Sequence, residues 1–540
     1  MKPWINVFLV LLATATVSAQ QHDHPPASPE RLGTVTFPNS CSPQAQPAFN
    51  RAVALLHSFE FRRAIDGFDA ALKTDPACGI ASWGIALSHW SNPFAAGIRP
   101  PAQLQLGLEA VQRAKAAGAK TERERGFIDA VSRLYANADT LDQRARVLAY
   151  RDAMADLAAR NPKDTEAAIF YALALTASEE PTDKTYASRL KAGAILEQLY
   201  RRHPQHPGLT HYIIHSYDVP ALADKALEAA KKYATIAPSA PHALHMPSHT
   251  FTRVGYWQES IDANIASAEV ARRDKSTAEE LHALDYQTYA YLQTAQDRKA
   301  KQVLDSLPEV AARFDPTAIG GAAPGSAGVF ALAAIPARYM LERRAWTEAA
   351  ALQPQSSRFP YAEAMIHFAR ALAASHQKDT AGANAAIAEL ARIRDRLAES
   401  GESYWSEQVE IQRRGAGAWL ALAEGRADEA VSEMRTAAER EGATEKNAVT
   451  PGPLAPAREL LGDMLLELKR PADALREYEA TLKKEPNRFR AVYGAAGAAS
   501  MAGDRTTARR YYQMLVRLCG KADTPARSEL AQARQFLGAP

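Results

Sequence analysis

A spaced signature of small, large, small and helix-stopping residues does most to limit what this chain can become. Ala64, Phe68, Ala71 and Pro76 stand four, three and five residues apart. The same register returns as Ala226, Ala230, Tyr233 and Pro238, and as Gly462 followed by Ala474, Tyr478 and Pro486. It returns again as Ala496, Ala508 and Tyr512, and as Ala418, Ala430, Met434 and Ala437. Small residues three and four positions from large ones let two helices approach closely, and proline cannot continue a helix. Between these sites run Ala- and Leu-rich segments with apolar residues three and four apart, separated by short polar turns, and strand patterns are nearly absent. The chain is therefore expected to be all-α, built from helical hairpins at a period of 34 residues counted from residues 45, 207, 411, 455 and 489. Residues 92–206 and 331–400 fit only as hairpins of irregular length.

These positions resemble the tetratricopeptide-repeat (TPR) family. The resemblance implies an α-solenoid in which each hairpin touches mainly its neighbours and the first helices line a concave groove. It also implies that positions 2, 5, 9, 12 and 13 of each first helix face a ligand. Two arrays are expected, over 45–311 and 329–540, joined by the Gly/Pro-rich stretch 312–328, which lacks the Lys and Ser/Thr pattern of a phosphate loop. A second departure, NAVTPGPLAP at 447–456, adds about ten residues to a repeat; such insertions sit over one face and can touch a ligand.

Residues 1–19 read as a signal peptide, with Lys2, an apolar run from Val7 to Val17 and a Val17-Ser18-Ala19 cleavage pattern. Residues 20–44 carry several prolines and no helical period, so a mobile arm is expected, with a short extended piece at Thr34 to Phe37. No later stretch reaches the roughly 18 apolar residues of a membrane span. With 64 basic and 61 acidic residues, no global field recruits nucleic acid or anionic lipid. LLHSFEF, DPACGIASWGIALS, HPGLTHYIIHSYD and PHALHMPSHTF together resemble exported bacterial TPR proteins, which implies a periplasmic or secreted location. In that oxidising compartment Cys41 and Cys78 are expected to form a disulfide tying the arm to the first hairpin, against the alternative of two buried thiols; Cys519 has no partner.

Seven of the 14 histidines fall between His203 and His249. His211 and His215 are four residues apart, as are His245 and His249, and the two pairs are separated by 34 residues. With repeats starting at 207 and 241, His211 and His245 take position 5, and His215 and His249 take position 9. The next repeat, from 281, puts His282 at position 2, Asp285 at position 5 and Tyr289 at position 9. Positions 5 and 9 share one helix face, and neighbouring helices lie about 8–10 Å apart. The four imidazoles, with Asp285 extending the row, are thus a candidate set for zinc, copper, nickel or iron. His57, His282 and Tyr289 are expected to line the groove. Pro247 implies that a helix starts, or is kinked, between His245 and His249.

The chain holds no nucleophile elbow, P-loop, CxxC or HExxH motif. A protein or peptide partner in the concave groove is accordingly the first expectation of function, ahead of catalysis. The alternative is a metal-binding protein, including a metal-dependent enzyme, with its ion in the same groove. TPR domains that grip a terminal carboxylate use Lys and Asn at positions 5 and 9, where this chain carries His, Asp and Tyr, so that peptide class is not expected here.

Overall fold

A computed structural model describes residues 30–538 apart from 96, 181 and 319–320. Among the described residues the protein is an all-α solenoid of tetratricopeptide-type hairpins. The first hairpin, Gln46–His57 with Phe61–Thr74, follows the predicted register. Ala64, Phe68 and Ala71 are wholly buried, and Phe68 lies flat over Gly84 of the next helix, where a Cβ would stand 2.2 Å from the ring. Only glycine admits so close an approach. The hairpins counted from 207, 455 and 489 open with helices Pro207–Ser216, Ala457–Glu467 and Phe489–Met501. The register from 411 falls within a longer helix, Ser403–Ala423, which pairs with Ala427–Ala443. No helix among the described residues is long and apolar enough to cross a membrane.

The segment expected as a mobile arm over 20–44 is docked from residue 30 onward; its earlier part and the whole of 1–19 lie outside the described residues. Leu32, Val35 and Phe37 are buried, with the Phe37 ring 5.3 Å from Phe49 and Trp83 and 5.1 Å from Phe127. A backbone bond from Thr34 to the Gln205 carbonyl, 2.8 Å, fixes its course. Apolar anchors buried against several helices outweigh the entropy of ordering a short segment. The extended piece at Thr34 to Phe37 forms no strand. Cys41 and Cys78 are joined in a disulfide across this junction, and Cys519 is free and buried.

Of the stretch 312–328, Ala312 closes one helix and Gly325–Gly328 open the next, and the described residues of the loop between them are pinned to both neighbours. Ala322 and Ala323 are buried; the Ala322 carbonyl accepts from Asn92 Nδ2 at 2.9 Å, and the Ala323 amide donates to Glu279 Oε1 at 2.7 Å. The helix beyond it, Gly325–Glu342, packs directly on Thr277–Gln293. Later segments also return to the earlier ones. Trp257 Nε1 donates to the Asn487 carbonyl, 2.8 Å, and Asn487 Nδ2 to the Gly255 carbonyl, 3.1 Å.

Candidate metal centre

The helix Pro207–Ser216 opens on Pro207 and carries His211 and His215 one turn apart. The next chain segment is divided as Pro247 requires: a short helix, Pro241–His245, ends before it and a second, Pro247–Val254, begins on it. Met246, between them, keeps right-handed helical angles, φ −54° and ψ −35°. The break therefore costs one backbone bond but not the direction of the chain, and the His245 and His249 rings remain 5.0 Å apart.

Six histidines converge as two groups of three. His211 Nε2 lies 3.1 Å from His215 Nε2 and 3.1 Å from His242 Nε2. His245 Nε2 lies 3.1 Å from His249 Nε2, and His282 joins this pair, with one ring nitrogen of each residue within 4.8 Å of the others. The groups obey one rule: positions 5 and 9 of one repeat meet position 2 of the next. All six rings are buried. The groups abut, with His242 and His245 centroids 6.1 Å apart and His215 and His249 centroids 6.3 Å apart.

The protons on these rings can be placed from their neighbours. His245 Nδ1 is 2.6 Å from Asn264 Oδ1, and the amide is oriented because its Nδ2 donates to the Ser260 carbonyl at 2.7 Å. His249 Nδ1 is 2.9 Å from the Asp218 carboxylate. Both acceptors oblige Nδ1 to carry the proton, so in neutral rings the lone pairs of His245 and His249 face each other at Nε2. His211 is held alike, its Nδ1 2.6 Å from the His57 carbonyl oxygen. Burial strongly disfavours the charged form that would relieve this opposition. It pushes His211 and His282 down to about 3 and holds His215, His242 and His245 well below the usual imidazole range. His249 is lowered too, by burial that outweighs Asp218. Neutral lone pairs converging on a point, with the remote nitrogens of His211, His245 and His249 tied to acceptors, form the arrangement a metal ion requires.

Asp218 is held in turn by Arg253, whose Nε donates at 2.9 Å, and by Lys446 Nζ at 3.5 Å. Burial lowers Lys446 to about 8. Tyr286 closes the second group, its hydroxyl 3.3 Å from His249 Nε2 and 3.2 Å from the Thr450 carbonyl.

A third histidine group shows the contrast. Glu166 sits between His57 Nε2, 2.9 Å, and His206 Nε2, 3.0 Å, and Tyr212 meets His57 Nδ1 at 3.1 Å. Here each imidazole faces a carboxylate that accepts its proton, and burial, although it works against the charged carboxylate, is outweighed by the two imidazoles, which hold Glu166 below its usual range. Within this group, hydrogen bonds to Glu166 and Tyr212 occupy both nitrogens of His57 and the Nε2 of His206. Its role is positional: the His57 carbonyl orients His211, and Gly208 makes room for the His57 ring, since a Cβ there would be 2.5 Å from Nδ1.

Four of the expected ligands, His211, His215, His245 and His249, are thus brought together, and His282 is a member of the second group. Asp285 is not. Its carboxylate is wholly buried against Arg338, with Nε at 2.8 Å, because a buried acid takes the nearest permanent cation. His57 and Tyr289 do not line an open groove either: both are buried, and Tyr289 lies beneath Arg338 and Arg488, whose guanidinium carbons are 5.0 and 5.7 Å from its ring. His242 was not among the expected ligands, although it holds position 2 of the repeat from 241 as His282 does of the repeat from 281.

The concave face over these rings is filled by the inserted segment 447–456. Ala448 and Val449, with His215, His242, His249 and His282, enclose a small cavity of about 20 Å³ that Phe94, Met246, Ala322, Pro324 and Ala327 complete. Outside it a cleft of about 470 Å³ reaches His215 and Asp218 past Phe94, Lys446 and Trp405.

No protein-family model and no curated protein matches this chain. Among solved structures, the human IFIT1 dimer with m7Gppp-AAAA aligns over 89% of this chain and 96% of its own, at 12% identity and a TM-score of 0.36. A monomeric mutant of IFIT1 with Gppp-AAAA aligns over 88% and 97%, with the same identity and score. Likeness at this level carries no inference about ligand or activity.

Proposed function

We propose that this protein is a metal-binding solenoid holding two transition-metal ions side by side, one in the His211–His215–His242 group and one in the His245–His249–His282 group. The observation that carries the reading is the opposition of His245 and His249. Their Nδ1 atoms are committed to Asn264 and Asp218, so in neutral rings their Nε2 lone pairs face each other at 3.1 Å; the Tyr286 hydroxyl, 3.3 Å from His249 Nε2, reaches only one of them, whereas a cation between the rings satisfies both. Leaving such buried groups unsatisfied costs about 1–3 kcal/mol each. Three imidazoles per ion, with no carboxylate or thiolate among them, suit zinc, copper, nickel or iron and disfavour magnesium and calcium. Three protein ligands also leave a coordination position for a further molecule, as catalytic rather than structural sites do.

The measurement is elemental analysis of untagged full-length protein, as purified and after reconstitution with zinc or copper. About two ions per chain are expected, falling to one in His215→Ala and to one in His249→Ala. Protein that takes up no transition metal under either condition would sink the proposal. So would metal uptake that both substitutions leave intact.

A further inference from the structure

The cavity at the junction of the two histidine groups says more about what the centre handles. Two of its walls are His215 and His242 from the first group and two are His249 and His282 from the second. It thus lies between the positions of the two ions, where a bridging ligand would sit. Its remaining walls are almost wholly apolar: Phe94, Met246, Ala322, Ala323, Pro324, Ala327, Ala448 and Val449, with Asn92 the one polar addition. Asn92 is itself spent, its Nδ2 on the Ala322 carbonyl and its Oδ1 on the Phe94 amide. A volume of about 20 Å³ admits a molecule of one or two heavy atoms, since a water needs roughly 10–15 Å³ on the same measure. Apart from the imidazoles, no free side-chain donor lines it to hold an oxyanion.

Charge restricts the metal further. All six ligands are neutral, and the ionic network behind them, Asp218 with Arg253 and Lys446 and, further out, Glu445 and Glu485, holds its own charges nearly in balance. Two divalent ions would add four uncompensated positive charges to a buried site, and burying charge without a partner is expensive. Among the metals that imidazole suits, copper has a stable monovalent state, and it also heads the affinity order in its divalent state.

Resting on the paired-metal reading, we infer that the ions are copper and that the ligand of the cavity is dioxygen, taken up between two Cu(I). The step balances within the site. Each Cu(I) gives one electron and becomes Cu(II), the O–O bond falls from double to single, no bond to the protein breaks and no proton moves. The two positive charges gained by the metals are matched by the two negative charges gained by dioxygen, so the net charge of the buried cage is the same before and after. A neutral diatomic can reach the rings along the apolar wall, from the cleft that meets His215.

The experiment uses full-length protein loaded anaerobically with Cu(I), freed of excess copper and then exposed to dioxygen. The expected result is uptake of one dioxygen per two copper ions, with little of the paramagnetic signal of isolated Cu(II) because the two spins are coupled. His282→Gln should hold one copper ion and lose that stoichiometric uptake. Ala327→Leu, which fills the cavity from a wall that ligates nothing, should keep both ions and slow uptake at least tenfold. If Ala327→Leu fails to fold, Ala323→Val tests the same wall. Protein that binds zinc but not copper, or two copper ions without consuming dioxygen, overturns this inference and leaves the paired-metal reading standing; protein that binds no metal overturns both. A full isolated-Cu(II) signal after oxidation refutes the bridging position.

Discussion

Asn264 offers a way to weaken one metal position and spare the other. It is wholly buried, accepts the His245 Nδ1 proton at 2.6 Å and donates to the Ser260 carbonyl at 2.7 Å. Asn264→Leu keeps the volume and removes both bonds, so His245 is free to place its proton on Nε2, the atom that must face the ion. Loss of such an orienting partner weakens metal binding about 10–100-fold, or roughly 1.4–2.8 kcal/mol. The first group takes its orientation from the His57 carbonyl and lies beyond the reach of this change. Zinc competition against a chromophoric chelator, fitted to two sites, should therefore show one site weakened by that factor and the other unchanged. Asn264→Asp keeps an acceptor in place and should retain both. Stability of the metal-free protein must be measured alongside, because Asn264→Leu also leaves His245 Nδ1 without its acceptor, at about 1–3 kcal/mol, and a lower melting temperature alone would not report on metal. Equal weakening of both sites, or of neither, would refute the separation of the six rings into two groups.

Two further predictions concern the scaffold. Phe37→Ala should cost about 3–5 kcal/mol in urea unfolding, since its ring is wholly buried among Phe49, Trp83 and Phe127; a loss below about 1 kcal/mol would mean that residues 30–44 are not docked in solution. Burial, with the nearby carboxylates of Glu279 and Asp274, raises the Glu60 carboxyl from 4.5 to about 8 against the opposing pull of Arg63. The folded chain then holds this proton where the unfolded chain has released it, so stability declines as pH rises through that window. Glu60→Gln should remove on the order of a few kcal/mol of the decline between about pH 5 and pH 8, read from urea midpoints; an unchanged slope would assign the effect to other groups.

Much of this arrangement can be read from the residues, and the parts that cannot share one cause. The repeat register, with starts at 207, 241 and 281, places His211, His215, His245, His249 and His282 on the opening segments of three successive repeats, because helical repeats translate equal positions onto one face. Position 2 carries His242 as well as His282, but His242 lies only three residues before His245 and outside the i,i+4 spacing that marks the two pairs. Orienting partners come from elsewhere in the chain: the His57 carbonyl from the first hairpin, Asn264 from an outer helix, Asp218 from a turn. No local period announces them. Asp285 misled for the same reason, since Arg338 lies 53 residues away and only folding brings it to 2.8 Å. Leu32, Val35 and Phe37 lack a helical period because they dock as an irregular strap, whose partners are likewise distant.

Repetition also explains why there are two groups rather than one. Each needs positions 5 and 9 of one repeat and position 2 of the next, so three repeats make two groups, and the row ends where Asp285 and Tyr289 replace histidine at positions 5 and 9. The N-terminal hairpins supply every ligand yet leave the cavity open on its concave side. It is closed by Ala448 and Val449, on a segment anchored where Arg338 Nη2 bonds Thr450 Oγ1 and the Gly452 carbonyl, both at 2.8 Å. Lys446, beside them, reaches Asp218 behind His249. Ligand atoms and these covering atoms thus come from segments far apart in the chain. An ion that binds only when both are assembled adds RT ln(1 + [L]/Kd) to the stability of that assembly, so metal should protect the contacts between residues 446–453 and the histidine helices as well as the helices themselves.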